Sequence, residues 1–236
     1  MRSTDPLDYQ NVPRPLETMA KEFADRHRIA SHSHVRAQLI FAIRGVMTVS
    51  NAHNRFVVPP RRALWMPAGM AHSIVMAGEV SMRTLYVEEK GARGLPGACR
   101  VLAVSPLLRE LIVRATALPV LYDETGAHGR LMQMILDEIA TLQTLPLDLP
   151  LPTDARLARL CQALVENPAD ERTLEQFAER FGASARTIAR LFRSETGMSF
   201  GAWRQQLRLM EALRRMAAGD AVTTVALDLG YASPSA

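Results

Sequence analysis

Three arginines, Arg186, Arg190 and Arg193, follow one another at i, i+4 and i+7, the spacing that lines one side of an α-helix. Guanidinium groups in such a row can take guanine edges bidentately or pair with phosphates as charged hydrogen-bond donors. An arginine-rich helix can also be no more than a solvated face, so the row needs a scaffold before it reads as an interface. A second set stands upstream: His32, His34 and Gln38 occur at even spacing. In an extended strand successive side chains alternate, so all three would project from one face.

The residues around the arginines supply a scaffold. Thr173 is suited to cap a helix, with Gln176 three residues on as its capping-box partner, and Leu174, Phe177, Ala178 and Phe181 recur along one face. Gly182 should end that helix, and Ser184 offers a fresh N-cap, so the connection is short. In the second helix Ala185, Ile188, Leu191 and Phe192 fall on the side opposite the arginines and should pack. This is the sequence form of a helix-turn-helix. Gly197 then ends the second helix, Ser199 caps a third, and Phe200, Trp203, Leu207 and Met210 carry an apolar stripe to about Ala218. After Gly219 the pattern opens again, with Thr223 or Thr224 as N-cap, Val225, Ala226 and Leu229 apolar, and Gly230 as the stop. Ser233-Pro234 has the form of another helix start, but Ala236 follows almost at once, too soon for a helix to nucleate.

The segment 173–236 resembles the C-terminal domain of AraC/XylS-family transcription regulators. The motif A-x-x-x-G-x-S-x-x-x-(I/L)-x-R-x-F-(R/K)-x-x-x-G is met by Ala178, Gly182, Ser184, Ile188, Arg190, Phe192, Arg193 and Gly197, and Gly230, Tyr231, Ser233 and Ser235 begin a second signature. The resemblance implies two helix-turn-helix units joined by a long helix, with the second recognition helix lacking here. The DNA-contacting set is expected to be Ser184, Ala185, Arg186, Thr187, Ala189, Arg190, Arg193 and Arg204. Arg186 and Arg190 are the base-reading candidates, Ala185, Thr187 and Ala189 lie near the groove floor, and Arg193 and Arg204 are assigned to phosphates.

A chain of 236 residues suits two domains better than one. The net charge of +4 and sequence pI near 9.5 fit a polyanionic partner, although arginine supplies nearly all of it and the only lysines are Lys21 and Lys90. The opening MRSTDPLDYQNVPRP has acids and prolines where a secretory signal needs an apolar core, and no apolar run approaches membrane-spanning length. A cytoplasmic protein without membrane contact is expected. Cys99 and Cys161 lack metal-ligand spacing and read as free, reduced thiols, with a redox sensor as the alternative.

Between about Phe23 and Glu89 the pattern changes to short apolar runs, at 39–43, 46–49, 56–58, 63–66, 73–76 and 82–87, separated by Gly45, 51–54, Pro59-Pro60 and Gly78. Evenly spaced short strands indicate a small β-sandwich or barrel. The His32-Ser-His34 and Gln38 group, followed by Pro67-Ala68-Gly69 with His72 beyond, resembles the two cupin motifs H-x-H-x(3,4)-E and P-x-G-x-x-H. That resemblance implies a jelly roll over roughly the first hundred residues, as AraC-family sensor domains often have. It also implies a metal or effector pocket of His32, His34, Gln38 and His72. Three imidazoles and one oxygen suit a single divalent Zn, Ni or Fe ion, and neutral Gln38 stands where a glutamate would add negative charge. The alternative is a pocket that hydrogen-bonds an organic effector with no metal.

After the glycine-containing turn at 91–97 the chain reads as helical. Ser105 caps with Pro106 at N1, and Leu107, Leu108, Leu111, Ile112 and Ala115 form a stripe closed by Pro119. A second helix over 125–142 carries Leu131, Ile135, Ile139 and Leu142. Such stripes usually cover the sheet of their own domain, and the family resemblance adds dimerisation through them. The alternating prolines of LPLDLPLPTD predict an extended, unpaired, semi-rigid linker, after which Asp154 caps a helix with Leu157, Leu160, Cys161 and Leu164.

The expected architecture is thus α+β: a cupin-like sensing domain over 1–100, a helical segment over 101–145 for dimerisation, a linker over 146–153, and an AraC-type DNA-binding domain over 154–236. The expected function is a one-component transcription regulator, an activator or repressor, whose partners are a small-molecule or metal effector, double-stranded promoter DNA, a second copy of itself and RNA polymerase. It is not read as an enzyme. Two alternatives stand beside this: a metal-dependent cupin enzyme, and a dimerising fragment without stable DNA binding.

Overall fold

The computed structural model describes residues 2–231, and the expected helix start at Ser233-Pro234 lies outside them. The chain divides into two compact units, one of Met1–Asn51 and Val58–Leu147, the other of Ala52–Val57 and Asp148–Ala236.

The first unit is an antiparallel sheet followed by helices. Strand β1 (Leu16–Phe23) pairs along its length with β6 (His72–Val87), and β6 pairs in turn with β3 (Ala37–Ser50). The ladder continues through β5 (Arg62–Met66) and β7 (Arg100–Ala103) to β8 (Thr144–Leu145), while β2 (Arg28–His32) pairs with β6. The expected short strands 39–43 and 46–49 are one strand, and so are 73–76 and 82–87. Gly45 and Gly78 both have positive φ, and the β3–β6 register shifts between Arg44 and Val46. They mark a bulge that bends the pair rather than turns that end it. Gly45 is held to glycine twice over, because a Cβ there would stand 2.4 Å from the Glu79 carbonyl oxygen. Strand β1 lies before the region read as β, since its apolar residues are interrupted by Glu17, Thr18 and Glu22.

Helix α1 (Pro106–Ala115) starts as expected, with Ser105 Oγ accepting from Leu108 N at 3.0 Å. It ends four residues before Pro119. Helix α2 (Ala127–Thr141) starts at Gly126 with no side-chain cap. Leu108, Ile112, Met132, Ile135 and Ile139 enter one core with Leu39, Phe41, Trp65 and Leu85 of the sheet. Each fully buried side chain of this kind stabilises the fold by about 1.5–3 kcal/mol, so the inner stripes of both helices belong to their own domain.

In the second unit the stretch read as an unpaired linker forms strand β9 (Asp148–Pro150), which pairs with β4 (Asn54–Val58) through Asn54 to Phe56. Prolines at 146 and 150 leave the N–H groups between them free to bond, so the ladder survives at its edge. Helix α3 (Ala155–Glu166) follows its Asp154 cap. Helix α4 (Leu174–Arg180) opens on the complete Thr173/Gln176 capping box, and α5 (Ala185–Thr196) runs from the Ser184 cap to Gly197 in the left-handed conformation. Helix α6 (Phe200–Ala217) is the long one, capped by Ser199, and α7 (Val222–Asp228) follows. The N-cap of α7 is Ala221, not Thr223 or Thr224, and it makes no side-chain cap bond. Among the described residues no helix is long and apolar enough to cross a membrane.

Candidate ligand cavity and nucleic-acid interface

The expected extended strand through His32, His34 and Gln38 is broken. His32 ends β2, His34 lies in the connection, and Gln38 is on β3. The break follows from the bonds made there. The His34 carbonyl accepts Gly69 N at 2.8 Å, and the buried Arg36 guanidinium turns away to donate to the carbonyls of Gln10, Val12 and Arg14.

Tertiary structure nevertheless assembles the histidines. His32 is the register partner of His72 at the start of β6, with ring centroids 4.3 Å apart. The His34 ring lies 4.8 Å from His32 and 5.7 Å from His72. One ring nitrogen from each of the three falls within 4.8 Å of the others. Two backbone carbonyls set the tautomers: His32 Nδ1 lies 2.8 Å from Ala30 O, and His72 Nδ1 lies 3.0 Å from Met70 O. A carbonyl only accepts, so each Nδ1 carries the proton and each Nε2 keeps a lone pair. Among the described residues, His34 Nε2, His72 Nε2 and Gln38 Oε1 are buried without a hydrogen-bond partner.

Burial, reinforced by the neighbouring His32 and His72, pushes the His34 pKa down to about 4. Burial lowers that of His72 as well, against a smaller opposing effect of the Met70 carbonyl. His32, His34 and Gln38 line a cavity of about 550 Å³ whose other walls include Met19, Phe23 and Met82. Tyr86 forms part of the wall and is the register partner of Gln38 across β3 and β6. Neither Tyr86 nor the carbonyls of Ala30 and Met70 carried a sequence signal, because a main-chain acceptor has no residue type and a tyrosine in a β run reads as core. His27 is exposed and borders the cavity, with its ring 4.9 Å from Phe23.

The donor set fits a borderline divalent metal. Bare imidazole nitrogens whose opposite N–H is anchored to a carbonyl are the arrangement such ions select, and a buried acceptor without a partner is costly unless something binds it.

In the second unit, α5 turns Ile188 and Phe192 inward, where Phe192 meets Phe200 at 5.5 Å and Trp203 at 6.1 Å between ring centroids. Arg186, Arg190 and Arg193 are exposed on the outer side. Ser184 is consumed by the cap: its Oγ accepts from Thr187 N at 3.2 Å and lies 2.9 Å from Thr187 Oγ1. Ala185, Thr187 and Ala189 are half-buried beside the arginine row. Arg204 sits differently. Its Nη1 donates to Arg172 O at 3.0 Å and its guanidinium lies 5.0 Å from the Phe200 ring centroid, so the group grouped with Arg193 for phosphates is engaged in packing. Glu195, with no distinguishing sequence pattern, accepts from Thr153 N at 2.7 Å and Asp154 N at 2.9 Å, tying α5 to the start of α3.

Cys99 and Cys161 are free thiols, and burial raises the pKa of each.

Comparison with known proteins places both units. Residues 18–127 match the model of the AraC-like ligand binding domain, and residues 177–236 match that of a helix-turn-helix domain. The HTH-type transcriptional regulator NimR of Escherichia coli (strain K12) is 34% identical over 205 residues, covering 87% of this chain and 75% of that protein. A crystal structure of ToxT from Vibrio cholerae strain SCE256 matches over 100% of this chain and 90% of its own, at 10% identity and a TM-score of 0.41. A cupin superfamily protein from Desulfitobacterium hafniense DCB-2 matches over 32% of this chain and 69% of its own, at 17% identity and a TM-score of 0.30.

Proposed function

Because the chain belongs to the AraC-type family of helix-turn-helix transcription regulators, and is therefore a ligand-sensing, DNA-binding regulator, we propose that His32, His34, Gln38 and His72 form the sensing site and that its occupancy controls promoter binding by α5. The observation that carries this reading is the set of buried acceptors, His34 Nε2, His72 Nε2 and Gln38 Oε1, left without partners beside a cavity. A divalent Zn, Ni or Fe ion held by the three imidazoles and the Gln38 oxygen would satisfy all of them and supply a Lewis-acidic centre. The residues themselves do the rest: the carbonyls of Ala30 and Met70 anchor Nδ1 of His32 and His72, which leaves the Nε2 of each ring for the ion.

At the other end, Arg186 and Arg190 read base edges and Arg193 holds phosphate, with Ser184 and Thr187 keeping the helix start rigid and Ala185 and Ala189 permitting close approach. Arg204 acts as a packing residue in this assignment. The chain works in the cytoplasm as a homodimer through the outer faces of α1 and α2, where Leu107 and Met134 are exposed, with RNA polymerase as its downstream partner. It is a sensor and not an enzyme, as its relative is a regulator.

The test is to select an operator from random duplexes and measure binding by anisotropy with apo, zinc-loaded, nickel-loaded and iron-loaded protein. Affinity should change with one metal and cease to change in a His34→Ala, His72→Ala double variant. Identical affinity in every state would dispose of metal control.

A further inference from the structure

We infer that the sensing cavity receives, together with its metal, a compact and mostly apolar organic anion, with Gln38 as an oxygen donor that brings no negative charge of the protein's own. This rests on the metal reading of the same site and adds the chemical class of the effector.

Gln38 on β3 and Tyr86 on β6 stand directly opposite each other in the ladder. Both side chains line the cavity, and among the described residues Gln38 Oε1 is buried without a hydrogen-bond partner. The phenol has little freedom, since its ring stacks on Tyr9 at 5.9 Å and meets the His34 ring edge-on at 5.2 Å. Tyr86 is therefore a fixed wall beside the amide, whose oxygen is the end available to a ligand.

The charge consequence is direct. Imidazoles that bind through a lone pair and an amide carry no charge, so a divalent ion would keep its full double charge, in a cavity lined largely by Met19, Phe23, Ile29, Ile74 and Met82. Among the residues lining that cavity the one carboxylate is Asp5, and its Oδ1 accepts Leu7 N at 2.9 Å. Lys21 and Arg28 bring only more positive charge. An uncompensated buried charge is costly, so the balancing anion has to come with the effector. Apolar walls then select an apolar body behind the anionic head.

Benzoate and benzamidine have the same ring and head groups of opposite sign, which makes them the probes. With the full chain loaded with Co²⁺, benzoate should perturb the cobalt absorption spectrum and bind about tenfold or more tighter than to apo protein, while benzamidine does neither. Gln38→Glu supplies the missing charge and should tighten Co²⁺ while weakening benzoate by about tenfold. The wild-type comparison stands even if that variant folds poorly. Co²⁺ binding with no preference for benzoate, or with benzamidine preferred, overturns the inference alone. Failure of wild-type protein to bind any of the metals overturns it together with the metal reading.

Discussion

Glu17 and Arg2 form an ion pair, Arg2 Nη2 to Glu17 Oε2 at 2.7 Å, in which the second, buried carboxylate oxygen has no hydrogen-bond partner among the described residues. Arg2 also donates to the Leu118 carbonyl at 2.7 Å and to Thr18 Oγ1 at 3.2 Å, so one guanidinium joins the amino-terminal segment to β1 and to the end of α1. Burial outweighs the attraction of Arg2 and raises the Glu17 pKa to about 7.

That imbalance has a sign. A carboxyl whose folded pKa is raised binds its proton more tightly in the native state, so its contribution is fully present below the unfolded value of 4.5 and is lost as pH rises to about 7. Glu17→Gln removes the titration. Relative to the variant, the wild type should lose on the order of 3 kcal/mol between pH 4 and pH 8, read by urea melts at several pH values. Parallel stability curves would refute it.

His34 works in the opposite direction. Its pKa falls from 6.5 to about 4 on folding, so its contribution is present above the unfolded value and is lost as pH falls through the window between the two. His34→Gln should flatten the acid side of the stability profile of the apo protein by up to about 3 kcal/mol, and a chelator-treated sample isolates this effect from metal binding.

The arginine row separates into two behaviours. Arg190→Ala should cost about 1–3 kcal/mol on the cognate duplex and relax specificity at one position, while Arg193→Ala should weaken all duplexes alike and reduce the salt slope by about one. Arg204→Ala should instead lower stability by about 1 kcal/mol through the lost bond to Arg172 O, with the salt slope unchanged. A salt titration of binding for the three variants distinguishes them.

Glu195→Ala removes the acceptor for Thr153 N and Asp154 N. Losing a carboxylate that receives two amides should cost about 1.5–3 kcal/mol, and the same variant should leave the charge of the α5 outer face untouched. Thermal unfolding and hydrogen exchange at Thr153 and Asp154 read this out.

Gly45→Ala tests the bulge. Its φ of +78° is strained for any other residue and the added Cβ meets the Glu79 carbonyl, so the variant should lose more than about 2 kcal/mol. An unchanged melting temperature would show that β3 and β6 can shift at that point.

Where a feature depends on neighbours three or four residues apart, the chain states it outright. The Thr173 capping box, the Ser184 and Asp154 caps, the left-handed Gly197 and the outward arginine row all follow from residue type and helix period, and the structure has them where the pattern puts them. Histidine types and the two motif fragments marked the cavity, but their meeting depends on β2 and β6 coming into register, a contact between residues 40 positions apart. The continuity of β3 and β6 through glycines, the pairing of a proline-bounded linker and the carbonyl anchors of His32 and His72 are non-local or main-chain features. Residue types carry no record of them, because a backbone group bonds whichever partner the fold brings to it. The engagement of Arg204 with Arg172 O and the Phe200 ring has the same origin: a guanidinium on a helix is free or spent according to what packs beside it, and only the folded chain decides that.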